Sequence, residues 1–132
     1  MAKTFALSVI TPERAALETN ASFVALPAYD GEIGILAGRA PLLVKLGAGW
    51  LRVDTETGKE ALLVNGGFAQ VAAGKVTVLT EQARTKEEID PEKAQAALTA
   101  AHALPSGDDT ARDVKERAVK YAKEMGKVAR AG

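Results

Sequence analysis

Trp50-Leu51-Arg52-Val53-Asp54-Thr55-Glu56-Thr57-Gly58-Lys59-Glu60-Ala61-Leu62-Leu63-Val64 contains, in fifteen residues, a strand, a turn and a second strand. Leu51 and Val53 alternate with Trp50, Arg52 and Asp54, the two-residue period of a strand with one buried face. Thr55-Glu56-Thr57-Gly58 is turn chemistry, and Ala61 to Val64 resumes an apolar run. The same grammar extends outward. Phe5, Leu7 and Val9 alternate with Ala6, Ser8 and Ile10. Phe23 to Leu26 is a further run, which Pro27 is expected to stop. Phe68 to Val71 and Val76 to Leu79 flank the turn Ala72-Ala73-Gly74, and Asn65-Gly66-Gly67 is expected to form a bulge or tight turn. Roughly seven to ten short strands at this spacing predict an antiparallel sandwich or barrel.

Near Thr85 the pattern changes period. Asp90 followed by Pro91 has the chemistry of an N-cap and a first helical residue. A helix is expected over about 91–103, ended by Leu104-Pro105-Ser106-Gly107, and a second over about 108–129, capped by Asp108 or Asp109. Ala111, Val114, Ala118, Tyr121, Met125 and Val128 lie at alternating spacings of three and four, one apolar stripe. Ala94, Ala97 or Leu98, Ala101 and Leu104 give the first helix a matching one. The expected architecture is α+β in two parts: an N-terminal antiparallel β-sandwich over 1–86 and a C-terminal antiparallel two-helix hairpin over 87–132. The alanine-rich seam predicts weak docking of that hairpin, because alanine buries little apolar area.

Composition narrows the function. The 132 residues carry 17 Lys and Arg against 17 Asp and Glu, a net charge of zero, which argues against nucleic-acid binding through bulk charge. The absence of cysteine removes disulfides, thiolate catalysis and cysteine zinc sites. A single histidine, His102, leaves no material for a multi-histidine metal site or a Ser-His-Asp triad. No apolar run approaches the ~20 residues of a membrane-spanning helix. Met1-Ala2-Lys3-Thr4-Phe5 leads straight into alternating residues without a signal-peptide core, so a soluble, cytoplasmic chain is expected.

Enzymatic motifs fail on inspection. Gly31, Gly34 and Gly38 do not match the dinucleotide pattern, and no helix follows them. Gly58-Lys59 is followed by Glu60, and Val53 stands where a phosphate loop needs glycine. The carboxylate pairs Asp30 with Glu32, Glu87 with Glu88 and Asp108 with Asp109 are neighbours in turns or helix starts, not groups facing across a cleft. No catalytic residue, metal ligand or cofactor is expected. Trp50 reads as a core or interface residue.

One segment is specific. Leu26-Pro27-Ala28-Tyr29-Asp30-Gly31-Glu32-Ile33-Gly34-Ile35-Leu36-Ala37-Gly38-Arg39-Ala40-Pro41-Leu42-Leu43 closely resembles the signature of the epsilon subunits of bacterial F-type ATP synthases, homologous to the mitochondrial delta subunits. Val64-Asn65-Gly66-Gly67-Phe68 with Lys75-Val76-Thr77-Val78-Leu79, and Val9-Ile10-Thr11-Pro12-Glu13-Arg14, also resemble that family. The resemblance implies a non-catalytic central-stalk rotor subunit at the cytoplasmic face of the bacterial plasma membrane. Its sandwich would bind the gamma subunit and the loops of the c-ring, touching the membrane only through the complex. It would couple ion translocation to ATP synthesis. Its helices, extended toward alpha and beta, would inhibit ATP hydrolysis.

By the same resemblance, Glu32, Gly38 and Arg39 would lie at the c-ring contact. The family usually has histidine where this chain has Arg39, so no pH response is expected there. Lys115, Arg117, Lys120, Lys123, Lys127 and Arg130 make the second helix a basic rod ~35 Å long, able to meet an acidic patch. Some relatives hold ATP between the helices through a motif of Ile or Leu, Asp, two residues, Arg and Ala. Here Ile89-Asp90-Pro91-Glu92-Lys93-Ala94 places Lys93 at the arginine position and Arg84 where an acidic residue is usual. Asp90 and Lys93 are therefore expected to bind ATP weakly or not at all. The competing expectation is a nucleotide-sensing module with ATP held by the hairpin.

Overall fold

In the computed structural model, which describes residues 3–131 and side chains as far as Val128, three two-residue turns set up most of the strand order. Tyr29-Asp30 joins β2 (Ala15–Ala28) to β3 (Gly31–Leu36), and Glu56-Thr57 joins β4 (Leu42–Thr55) to β5 (Gly58–Ala72). Ala73-Gly74 joins β5 to β6 (Lys75–Leu79), with φ of 44° and 78°. Positive φ at both central residues matches the turn to the twist of the flanking strands. With β1 (Phe5–Ile10) and the short β7 (Ala83–Arg84), seven strands are described.

The order β1-β6-β5-β4-β2-β3 closes through a further β1–β2 pairing. Strands β1, β2, β4, β5 and β6 thus form a ring of five. Alternating directions cannot close an odd ring, so one pair must be parallel. It is β1–β6, an exception to the expected antiparallel pattern. Phe5, Leu7, Val9, Leu46, Leu51, Val64 and Val78 are among the side chains that fill the interior.

Pro27 does not stop its strand; β2 runs to Ala28. The β2–β4 register breaks between Ala25 and Ala28, so the missing N–H falls where no ladder bond is needed. Asn65-Gly66-Gly67 is neither a turn nor a bulge, because the β4–β5 register is the same on both sides of it. Instead both strands change face there. Core residues are Val44 and Leu46, then Leu51 and Val53, on β4, and Leu62 and Val64, then Ala69 and Val71, on β5. Each interval across the change is odd, so inward and outward exchange. Gly47 and Gly49 sit at the change on β4. Gly66 and Gly67, at φ of 71° and 102°, sit at it on β5, backbone angles suited to glycine.

The helices follow a one-turn 3₁₀ segment, Lys86–Glu88. Helix α1 spans Pro91–His102, with the Asp90 Oδ1 accepting from the Lys93 N–H at 2.8 Å. Helix α2 spans Asp109–Ala131, and Asp108 is its cap, accepting from the Ala111 N–H at 2.7 Å. Pro91, Ala94 and Leu98 face Ala122 and Gly126, so the helices run antiparallel. Of the expected stripe, Tyr121 and Met125 are fully buried, whereas Val114 is 41% exposed. The seat under the helices is richer than the alanine count suggests. Ala48, Leu63 and Trp50 of the sandwich and Ile89 of the linker meet Ala94, Tyr121 and Met125. The large side chains come from both sides, Leu63 and the partly buried Trp50 from the sandwich and Tyr121 and Met125 from α2, and each one fully buried contributes about 1.5–3 kcal/mol.

Candidate functional site

Glu32 and Arg39 stand at opposite ends of β3. Glu32 follows the β2–β3 turn, and its Oε1 lies 2.6 Å from Nη2 of Arg52 on β4. Both side chains are more than half exposed, so the pair adds little stability. Gly38, at φ 84°, forms the turn after β3, where the Arg39 N–H donates to the Leu36 carbonyl at 3.3 Å. Six strand residues at ~3.3 Å each separate the two ends. The structure therefore brings Gly38 and Arg39 together and leaves Glu32 apart from them.

Past the glycine kink, the outward residues of β4, β5 and β6 form an apolar surface. Leu43, Phe68 and Leu79 are 68%, 52% and 53% exposed. Phe68 pairs directly with Leu79 on β6 and with Lys45 on β4, which sets Leu43 diagonally beside it. Leu36, at 63%, is exposed just before Gly38. Sequence reasoning placed Phe68 and Leu79 in strands without assigning their faces: Phe68 is hidden by the change of phase at Gly66 and Gly67, whereas Leu79 follows the plain alternation of β6, with Val76 and Val78 inward.

Between the helices lies a groove of about 460 Å³, lined by Pro91, Ala94, Gln95, Leu98, Lys123 and Lys127, among others. Neither Asp90 nor Lys93 lines it. Asp90 is committed to its cap, and the Lys93 ammonium lies over the Glu88 carbonyl at 3.5 Å, 4.0 Å from Asp90 Oδ2. On the outer face, Lys115, Lys120, Lys123 and Lys127 border a broad, open depression with His102 and Arg112. Lys127 is paired with Glu124 at 3.0 Å.

Arg117 departs from this basic face. It turns inward to Asp113, at 3.4 Å, with side chains 17% and 29% exposed respectively. Its guanidinium lies over Gly66, where an added Cβ would stand 2.6 Å from Nε. The Arg130 side chain lies outside the described ones.

The seam between sandwich and hairpin holds polar contacts that the sequence did not reveal. Tyr29, in the β2–β3 turn, donates its hydroxyl to Asp113 Oδ1 at 3.0 Å, while the Lys45 ammonium stands 4.3 Å from its ring centroid. The hydrogen bond to the Asp113 carboxylate raises the Tyr29 pKa. Arg14 Nη2 meets Glu88 Oε2 at 2.9 Å. Glu88 also accepts from the Thr85 N–H and hydroxyl, at 3.0 and 3.1 Å, and the Thr85 backbone bond is the main cause lowering its pKa. Burial raises the Tyr121 pKa, partly offset by Arg84. These partners are 84 residues apart for Tyr29–Asp113 and 74 for Arg14–Glu88, beyond any local spacing rule.

The family model for the ATP synthase delta/epsilon chain, beta-sandwich domain, matches residues 4–86. The ATP synthase epsilon chain of Rhodopirellula baltica is 44% identical over 115 residues, covering 87% of this chain and 90% of that one. The epsilon chain of Desulforamulus reducens is 34% identical over 128 residues, 97% of each chain. Among solved structures, a chain of the Euglena gracilis mitochondrial ATP synthase, in an assembly of OSCP, F1 and c-ring, superposes with a TM-score of 0.72 at 30% identity. It covers 98% of this chain and 82% of that one. A chain from the Tetrahymena thermophila central stalk and c-ring, at 15% identity and a TM-score of 0.62, shares the fold.

Proposed function

This chain belongs to the ATP synthase delta/epsilon family, and from that premise we propose that it is a non-catalytic central-stalk subunit that couples rotation to ATP synthesis and restrains ATP hydrolysis through its helices. The observation that carries the proposal is the apolar surface of Leu43, Phe68 and Leu79 beside a separately docked helical pair. A contiguous apolar patch on a sheet face marks an interaction surface. Its proposed partner is gamma. Glu32 at one end of β3, and Gly38 with Arg39 at the other, would then address c-ring loops as two separate contacts. The complex would lie at the cytoplasmic face of a bacterial plasma membrane, consistent with the lack, among the described residues, of a helix long and apolar enough to cross one.

Lys120, Lys123 and Lys127, exposed on α2, are the side chains proposed to meet an acidic segment of beta when the hairpin extends toward alpha and beta. Lys115 supports them. Arg117 would join only after release, since the docked state holds it against Asp113.

Full-length chains titrated onto a catalytic head stripped of this subunit test the proposal. Phe68→Glu should abolish binding. Reversal of Lys120, Lys123 and Lys127 to Glu should preserve binding and relieve inhibition of hydrolysis. Unchanged binding by the first variant, or unchanged inhibition by the second, would defeat the corresponding part.

A nucleotide-sensing role is the second reading, supported by the interhelical groove and its two lysines. The engagement of Asp90 in capping argues for weak ATP binding. A micromolar calorimetric isotherm lost in Asp90→Ala would reverse that preference.

A further inference from the structure

The hairpin is held to the sandwich by a polar cluster that is only partly satisfied. Tyr29 reaches from the β2–β3 turn to Asp113, and Asp113 in turn holds Arg117, one helical turn further on. The Arg117 guanidinium rests on the bare backbone of Gly66, a position that any larger residue would contest. Beside this chain of contacts, Arg117 Nε and Asn65 Oδ1 are buried and find no hydrogen-bond partner among the described residues, and the buried Tyr121 hydroxyl has Arg84 near it but outside hydrogen-bond geometry. Arg117 and Tyr121 are four apart on α2, hence on one face, and Asn65 adjoins Gly66 on the strand beneath. Buried polar groups without partners oppose docking, while Tyr29, Asp113 and the apolar seat favour it.

We propose that Tyr29, Asp113 and Arg117 form a releasable latch, the point at which docking of the hairpin on the sandwich is set. Tyr29 is the exposed end of the latch, at 55%, and lies in a turn rather than in the packed seat. Asp113 is its pivot, because it alone bonds both Tyr29 and Arg117. Without Asp113, the guanidinium keeps its buried place over Gly66 but loses its anion, which is costlier than losing the tyrosine bond. The three residues should therefore act as one unit whose members are not independent.

The proposal rests on the reading that the hairpin can leave the sandwich, but its test needs no other subunit. Trp50, the chain's single tryptophan, is half-buried in the seat and reports release directly. Acrylamide quenching of Trp50 and amide exchange of α2 would be followed in the full-length isolated chain, with exchange of β1 and β6 as the control for an intact sandwich.

Tyr29→Phe, which removes one oxygen from an exposed ring, should raise the opening constant about threefold to tenfold. Asp113→Ala should raise it more, with β1 and β6 still protected. The double variant should open no more than Asp113→Ala alone. Opening by Tyr29→Phe equal to that of the parent, or additive effects in the double variant, would overturn the latch. Should Asp113→Ala also deprotect β1 and β6, Asp113→Leu, which keeps the volume and helix propensity but has no acceptor, paired with Tyr29→Phe decides by the same non-additivity. If α2 exchanges only together with β1 and β6 in every variant, the hairpin does not release separately. That result would sink the underlying reading as distinct from the latch.

Discussion

Gly67 offers the sharpest test of the glycine kink. An ideal Cβ added there would stand 1.8 Å from the Leu79 carbonyl oxygen and 2.9 Å from Thr80 Cα, both backbone atoms. Real Cβ atoms essentially never approach closer than 3.0 Å, so β5 and the chain at 79–80 must part by more than an ångström. Two bonds tie β5 to the chain just after β6, Asn65 N–H to Gln82 O at 3.1 Å and Asn65 Nδ2 to Gln82 Oε1 at 3.2 Å. Losing both costs about 2 kcal/mol at roughly 1 kcal/mol each. A left-handed φ, here 102°, adds about 1–2 kcal/mol for any L side chain.

Gly67→Ala should therefore lose about 3–4 kcal/mol, in the upper tail for a single substitution. Gly74→Ala is the matched control. It has a positive φ of 78° but nothing within 4 Å of an added Cβ, so only the conformational cost of about 1–2 kcal/mol applies. Urea unfolding of both variants, followed by Trp50 fluorescence and far-ultraviolet circular dichroism, measures the difference. A Gly67→Ala protein that never folds while Gly74→Ala does meets the same expectation. Equal losses in the two variants would refute the close approach as the reason for glycine.

Three further outcomes follow from local chemistry. The folded pKa of Glu88 is lowered, chiefly by the Thr85 backbone bond, so its contribution is present above its ordinary value of 4.5 and is lost as pH falls through the lower folded value. Acid titration should loosen the Thr85–Glu88 turn below about pH 4.5, and Glu88→Gln should abolish that pH dependence, as followed by amide exchange at Lys86–Ile89. Both tyrosines have raised pKa values, Tyr29 through its bond to Asp113 and Tyr121 through burial. Their contribution is complete below pH 10.0 and disappears as pH rises through the higher folded values. Tyrosinate absorbance should therefore appear above 10.0 for both, and Asp113→Asn should lower only the Tyr29 step. Asp108→Ala removes the α2 cap and should cost about 1 kcal/mol, with faster exchange confined to the first turn of α2; unchanged exchange there would remove the cap from the account.

Local pattern carried much of this protein in readable form. The two-residue period of Phe5, Leu7 and Val9 marks their shared buried face, because neighbouring residues in a strand point to opposite sides. Asp90 with Pro91, and Asp108, mark helix starts because a cap satisfies backbone donors within three residues of itself. The long segment around Gly31–Leu43 carried the family, confirmed across residues 4–86.

Long-range closure decided the rest. A parallel β1–β6 pair follows from a ring of five strands, and no strand records the parity of the ring it joins. The glycines at 47, 49, 66 and 67 were visible as glycines, but their exchange of inner and outer faces depends on two strands bending together. That exchange turns Phe68 outward, beside Leu79, which the regular alternation of β6 already places on the outer face. Arg117 is indistinguishable by sequence from the lysines around it. It faces inward because Asp113, Tyr29 and the unoccupied face of Gly66 meet it there, contacts that exist only once residues far apart in the chain have been folded against one another.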